Sequence, residues 1–255
     1  MYDRFSYDYD RFVNWHGRLN FEMPFLEAQL CAVNANRVLD AACGTGMHTL
    51  ALAQRGFQTA GADLSRGMVE RARANAAEAG LDVPFVEAGF GGLQAAFAAG
   101  GRLPFDALFC LGNSLPHVLS ASELAAALAD FAACLRPGGL LLLQNRNFDA
   151  VMARRERWME PQSHREGERE WLFLRLYDYL PDGLIDFNVV TLQREGGLSW
   201  RQSVDTSRLR PLLHDELHAA LAAAGFAQVQ AFGGLDGSPF DARSSGNLVV
   251  SARRA

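Results

Sequence analysis

The stretch VLDAACGTGMHT, residues 38–49, sets the tightest limit on the fold. An apolar strand-like run ends on Asp40, and Gly44 and Gly46 then carry the chain into a helix-forming run. Glycines at such a turn let a ligand approach the backbone, and a helix N-terminus adds unsatisfied N–H groups with partial positive charge. The Gly-Lys-Ser/Thr ending of a P-loop is absent, and Thr49 stands where a dinucleotide fingerprint has its third glycine. A pyrophosphate is poorly provided for. One carboxylate-bearing end of a ligand fits better.

From residue 37 short apolar runs alternate with helical patterns. Strands are expected at 37–42, 57–63, 83–89, 105–112 and 140–147. Helices are expected at 47–56, at 65–80 with Ser65 as N-cap, and at 120–135 with the capping box Ser120-x-x-Glu123. RPGG (136–139) reads as a turn. This alternation implies βαβ units and a doubly wound, mostly parallel α/β sheet with right-handed crossovers. After Asp149 the rhythm changes. A charged stretch (151–170) precedes three β-like runs at 171–180, 184–192 and 198–209, parted by PDG and EGG, as in an antiparallel meander. A helix at 215–225 and strands at 226–232 and 247–253 complete the sheet. The expected organisation is an N-terminal cap segment (1–36), a Rossmann-like core (37–149 and 210–255) and a β insertion (150–209) forming a lid. The charge run 154–157 reads as a solvated helix face next to that lid.

Asp63 closes the second strand, 19 residues after Gly44. An acidic residue there is placed to hold two ribose hydroxyls, although it can also cap the next helix. The fourth strand ends in LGNSLPH (111–117), polar where a core strand would simply stop. His117 has the ordinary pKa of a general base, or else it follows Pro116 at a helix entrance and fixes the loop. His48, at the glycine-loop helix, reads as a surface residue or one standing behind the site. His164, His214 and His218 are too dispersed for a metal site, and none is expected.

A net charge of −5 gives no support to a nucleic-acid partner. All 24 basic residues are arginine, so any mechanism needing a catalytic lysine is excluded. The four cysteines show no zinc spacing, and three lie in apolar contexts that suit buried thiols. No apolar run reaches the ~18 residues of a membrane span, and the charged, aromatic N-terminus lacks a leader's apolar core. A cytoplasmic protein with a small-molecule substrate and no membrane partner is expected. The oligomeric state stays open, a homo-oligomer included.

Together VLDAACGTG, Asp63 in DLS, FDALFCLGNS and LRPGGLLLL resemble the class I S-adenosylmethionine-dependent methyltransferases. Within that class, ACGTG, CLGNSLPH, RPGGLLLLQNRNFD and Arg18 are similar to the glycine and glycine/sarcosine N-methyltransferases. The resemblance implies a seven-stranded sheet with one antiparallel strand, and S-adenosyl-L-methionine as cofactor. It implies that Ala42 and Gly44 line the methionine end, Arg18 reaches its carboxylate, and Asp63 binds the ribose. Leu64, Met68, Gly89 and Phe90 would flank the adenine, and Leu111 would lie under the cofactor. Tyr9 and Trp15 are the candidates for an N-terminal aromatic touching it. Asn113 would face the substrate, with His117 near by, and Arg146 would grip the substrate carboxylate, for which a guanidinium fork is well shaped.

One departure matters. The glycine enzymes surround the amine with tyrosines, and one expected after the insertion is missing; TSRLRPL (206–212) offers Arg208 and Arg210 instead, while Tyr177 and Tyr179 are candidates for the others. The expected activity is methyl transfer to a small acceptor, in first place the amine of a carboxylate-bearing compound. O-methylation and non-methylating use of the cofactor are the alternatives. Nucleic-acid methylation is disfavoured, since LGNSLPH is not the Asn/Asp-Pro-Pro-aromatic end of base-amino enzymes.

Overall fold

The computed structural model describes residues 9–11, 13–197 and 199–255. Of the N-terminal aromatics, Tyr2, Phe5, Tyr7 and Phe12 lie outside the described residues.

The main sheet contains β1 (Arg37–Asp40), β2 (Gln58–Asp63), β3 (Phe85–Glu87), β4 (Phe105–Cys110), β5 (Leu135–Arg146), β10 (Phe226–Phe232) and β11 (Asn247–Arg254). Its order is β10-β11-β5-β4-β1-β2-β3. Neighbours from β5 to β3 pair in parallel, and β11 runs antiparallel to both β5 and β10. β11 is thus the single reversed strand. A switch in winding direction falls between β1 and β4, so their carboxyl ends open a crevice.

Helices cover both faces. On one, α4 (Leu93–Ala98), α5 (Ala121–Cys134) and α7 (His214–Ala223) bury Phe97, Leu128, Phe131, Leu217 and Leu221 against Leu108, Leu141 and Leu248. On the other, α1 (Trp15–Cys31) sets Met23, Leu26 and Leu30 against Phe109, Leu142 and Val249. The glycine-loop helix α2 (Met47–Ala53) and α3 (Arg66–Glu78) continue that layer. Ser65 caps α3 by accepting from Met68 N–H at 3.2 Å, and Ser120 and Glu123 form the capping box of α5. Three of the four cysteines, Cys43, Cys110 and Cys134, are buried, and Cys31 is exposed.

After β5, α6 (Phe148–Arg154) leads to a separate four-stranded antiparallel sheet, ordered β6-β7-β8-β9. Its strands are β6 (Gln162–Glu166), β7 (Arg169–Tyr179), β8 (Ile185–Glu195) and β9 (Arg201–Leu209). Along β7 alternate residues Trp171, Phe173, Arg175 and Tyr177 share one face, with Val189 opposite Arg175 and Phe187 opposite Tyr177.

Several elements differ from expectation. Helices α1, α4 and α6 (Phe148–Arg154) and strand β6 were not foreseen, and the charge run 154–157 is no helix face, because the helix ends at Arg154 with Arg155 left-handed. RPGG belongs to β5, where the register slips from Phe105 opposite Leu135 to Ala107 opposite Leu140, with Gly138 at φ +72°. A bulge takes up the extra residues where a turn was expected. No helix among the described residues is long and apolar enough to cross a membrane.

Candidate active site

The strand ends of the main sheet and the inner face of the smaller sheet enclose one cavity of about 1250 Å³. At its glycine loop, Gly44 and Gly46 have φ of +53° and +81°. They face opposite ways. A Cβ on Gly46 would meet Phe85 Cζ at 2.9 Å, so Gly46 is fixed by packing, whereas the nearest atom above Gly44 is Tyr9 Cε1 at 3.8 Å. Ala42, Gly44 and Tyr9 all line the cavity. Burial raises the Tyr9 hydroxyl's pKa, partly offset by the neighbouring Arg18.

Asp63 supports the start of the next helix, one of the two roles considered for it. Its Oδ2 accepts from Gly44 N–H and its Oδ1 from Ser65 N–H, each at 2.9 Å, so it braces the loop and the start of α3. A carboxylate oxygen accepts more than one hydrogen bond, and Asp63 lines the cavity. Beside it, Leu64 is 77% exposed, an apolar side chain open to the cavity. A Cβ on Gly89 would meet Leu64 Cδ1 at 3.0 Å, so glycine there lets Leu64 lie flat. Met68 and Phe90 complete the lining at this end. A carboxylate beside an apolar slot fits a nucleoside, with hydroxyls on Asp63 and a flat base against Leu64, Met68 and Phe90.

Arg18 also lines the cavity. Its Nε donates to both carboxylate oxygens of Glu22, at 3.0 and 3.1 Å, and Glu22 Oε2 is 2.6 Å from His48 Nε2. Burial would raise the Glu22 carboxyl's pKa, but His48 and Arg18 outweigh it and hold it below the ordinary value. His48 is therefore not a surface residue. It is 5% exposed and stands behind Glu22.

Trp15 does not line the cavity. Its ring lies under the Arg18 guanidinium at 5.2 Å and edge-on to His48 at 5.4 Å, and its Nε1 donates to Asp10 at 2.9 Å. Leu111 is likewise behind the wall. It is buried with Met23 and Leu142, and the alternation of β4 leaves Gly112 to line the cavity in its place.

At the other end Asn113 takes a left-handed conformation, φ +64°, which asparagine tolerates better than most residues. Its N–H donates to Gln144 O at 3.0 Å, and its Oδ1 accepts from Arg146 N–H at 2.9 Å. Gln144 in turn accepts from Gly112 N–H at 2.7 Å and donates to Asn247 at 3.2 Å. Asn113, Arg146 and His117 all line the cavity, so the three residues read as catalytic lie on one wall. Ser114 Oγ donates to Leu111 O at 2.8 Å and shapes the loop. Burial lowers the His117 pKa to about 4, opposed by its bond to the Arg208 backbone. The same loop is tied to the end of β9 by Arg210 N–H donating to Pro116 O at 2.8 Å.

Arg208 and Arg210 do not supply the missing tyrosine's place. Arg208 pairs with Asp186 at 2.9 Å and Arg210 with Glu216; neither side chain lines the cavity. Tyr177 does line it, beside Arg146, while the Tyr179 hydroxyl donates to Glu156 O at 3.0 Å outside the wall. Sequence reasoning missed Glu22 and Arg175. Arg175 had a visible signal, since it is the one charged residue among the inward positions of WLFLRLY.

Residues 38–139 match the family of methyltransferase domains. The glycine/sarcosine N-methyltransferase of Halorhodospira halochloris is 34% identical over 150 residues, 59% of this chain and 54% of that protein. The glycine N-methyltransferase of Rattus norvegicus is 35% identical over 127 residues, 46% and 43% of the two chains. The chain thus spans about half the length of the curated relatives it matches. Among solved structures, an S-adenosylmethionine-dependent methyltransferase of Clostridium acetobutylicum superposes with a TM-score of 0.78 at 15% identity, covering 99% of this chain and 98% of that one. The sugar N-methyltransferase KedS8 of a Streptoalloteichus species gives 0.73 at 22%, covering 100% and 93%. Motifs, fold and cavity agree with these likenesses: residues 38–139 match a methyltransferase domain, and the chain as a whole has the fold of S-adenosylmethionine-dependent methyltransferases.

Proposed function

We propose that the chain transfers a methyl group from S-adenosylmethionine to the amine of a small, carboxylate-bearing acceptor. One observation carries the reading: a single cavity joins Asp63, Leu64 and Gly44 at one end to Asn113 and Arg146 at the other. Bound there, S-adenosylmethionine supplies an electrophilic methyl group on a sulfonium. Asp63 holds the ribose, and the slot of Leu64, Met68, Gly89 and Phe90 holds the adenine. Arg18, steadied by Glu22, meets the methionine carboxylate, with Tyr9 closing over Gly44.

Arg146 anchors the acceptor's carboxylate, and Asn113, its Oδ1 committed to the Arg146 N–H, turns its Nδ2 to the acceptor. In-line displacement needs the amine unprotonated and aligned. Orientation alone can supply up to ~7–11 kcal/mol of barrier lowering. The smaller sheet, within 150–209, serves as the roof that excludes water. His117 serves the loop: with a pKa of about 4 it is a weak base, and it ties the fourth-strand loop to β9.

The cavity exceeds the 300–1,000 Å³ of ordinary ligand sites. That room fits a cofactor and a small acceptor together. Incubation with methyl-labelled cofactor and a panel of amines, phenols and acids tests the reading. A methylated amine is expected; a methylated phenol, or cofactor consumed without acceptor, contradicts it.

A further inference from the structure

Four apolar or aromatic side chains meet at the acceptor end of the cavity: Val151 of α6, Met159, Tyr177 of β7 and Phe187 of β8. Tyr177 lies opposite Phe187 in the register, and their rings stand 5.6 Å apart at 56°. Met159 joins them because its N–H donates to the Arg175 carbonyl at 3.0 Å, which runs residues 157–159 alongside β7. Phe148, Ile185 and Leu209, all buried, pack against this corner. Val151, Met159 and Phe187 are only half-buried, and all three line the cavity. Apolar surface left wet in a concave site gains free energy when an apolar group displaces the water.

The corner adjoins the proposed carboxylate anchor. Tyr177 ties the two together: its hydroxyl accepts from the Arg146 side chain, and its ring is part of the corner. Val151 follows Arg146 by five residues, and Asn147 fixes the turn between them by accepting from Ala150 N–H at 3.3 Å. A carboxylate on Arg146 therefore leaves the next atoms of the same molecule beside an apolar wall. Glycine has no group to put there. We propose that the methyl acceptor is an amino acid with an apolar side chain, branched or aromatic, which fills the corner of Val151, Met159, Tyr177 and Phe187 while Arg146 holds its carboxylate. Arg175 and Val189 form the next pair on this face, and the Arg175 Nη2 donates to the Glu160 carbonyl at 3.5 Å. A side-chain carboxylate reaching Arg175 is the competing arrangement. The inference rests on the reading that Arg146 receives the acceptor's carboxylate.

The test is calorimetric titration of the whole protein, saturated with S-adenosylhomocysteine, with glycine, alanine, leucine, phenylalanine, glutamate and lysine. Leucine or phenylalanine is expected to bind about tenfold or more tighter than glycine, glutamate and lysine. Glycine or glutamate binding as tightly as the apolar pair, or no amino acid binding at all, overturns the proposal. Phe187→Ala and Met159→Gln should each shrink the preference over glycine about threefold or more. A preference intact in both variants also overturns it. A melting curve and S-adenosylhomocysteine binding show which variants fold, and if Phe187→Ala does not, Met159→Gln decides. Isoamylamine and phenethylamine separate the corner from the anchor. Weak binding of both, beside tight leucine or phenylalanine, supports Arg146 as the carboxylate anchor, whereas amines that bind as tightly as the amino acids overturn that anchor. An apolar amino acid that binds but yields no methylated product with S-adenosylmethionine overturns the transfer reading and leaves the corner standing.

Discussion

The side-chain oxygen of Asn113 accepts a hydrogen bond from the backbone N–H of Arg146 at 2.9 Å. The loop after β4 is thereby fastened to the end of β5, and the two residues proposed to hold the acceptor move as one. Asn113→Gly separates the contributions, because glycine keeps the φ of +64° and the backbone bond to Gln144 O while losing the side-chain bond from Arg146 N–H. Stability should fall by about 1 kcal/mol. Acceptor kcat/KM should drop at least tenfold, a loss of about 1.4 kcal/mol in transition-state binding, with little change in cofactor affinity. A variant that keeps full activity would remove Asn113 from the site.

Arg146 should affect the acceptor alone. Arg146→Ala is expected to raise the acceptor KM by one to two orders of magnitude, about 1.4–2.8 kcal/mol, and to leave S-adenosylhomocysteine affinity within about twofold. Equal losses in both affinities would contradict its assignment.

For Asp63, two effects should appear together. Asp63→Ala takes away the acceptors for Gly44 N–H and Ser65 N–H. It should therefore lower the melting temperature as well as weaken cofactor binding, each lost bond being worth about 1 kcal/mol. Asp63→Asn, which keeps one acceptor oxygen, should regain stability before affinity. Unchanged cofactor affinity in Asp63→Ala, read by calorimetry, would remove the ribose assignment.

His117 makes stability depend on pH. Its pKa falls from 6.5 in the unfolded chain to about 4 in the fold, so between those values the unfolded chain binds the proton and the fold does not. Stability should hold above about pH 6.5 and decline as pH falls toward about 4, by at most about 3 kcal/mol at 1.36 kcal/mol per unit. Urea unfolding at pH 7 and pH 5 measures the slope. His117→Gln should flatten it, and an unflattened slope would assign it to other groups.

Glu22 should act through Arg18. Glu22→Gln keeps the shape of the contact but removes the charge that aligns the Arg18 Nε and faces His48. Cofactor affinity should weaken by about threefold to tenfold, some 0.7–1.4 kcal/mol, with kcat at saturating cofactor nearly unchanged. A lower kcat with unchanged affinity would show that Glu22 serves some other step.

Much of the main sheet was legible because its signals are local. Each strand from 37 to 147 is a short apolar run, and Ser65 and Ser120 announce their helices. Helix α1 carried its own signal in Leu19, Met23, Leu26 and Leu30, at helical spacing, but Pro24 interrupts it and the aromatics upstream obscure it. Strand β6 was illegible since four of its five residues are exposed, and pairing with β7 makes it a strand. In the site, Gly44, Asp63, Asn113 and Arg146 stand at strand ends, where order in the chain fixes position. Glu22 and Arg175 reach the cavity from α1 and β7, and only the packing of distant elements brings them there. Trp15 shows the converse: it is near the site in sequence, yet the turn of α1 places its ring behind Arg18.

The reversed strand β11 has a consequence for how the chain is made. Synthesis delivers β1 to β5, and with them the glycine loop and Asp63, well before residues 247–254 emerge. Until then β5 offers a bare edge along its apolar stretch, Leu140–Leu143, which pairs with β11 in the finished sheet. A nascent chain at that stage holds the parts of the nucleoside end but lacks the Asn247 that braces Gln144 behind Asn113. Until β11 inserts, the same edge is a template for pairing with other chains, so clipping after β10 should yield aggregation rather than a partly active enzyme.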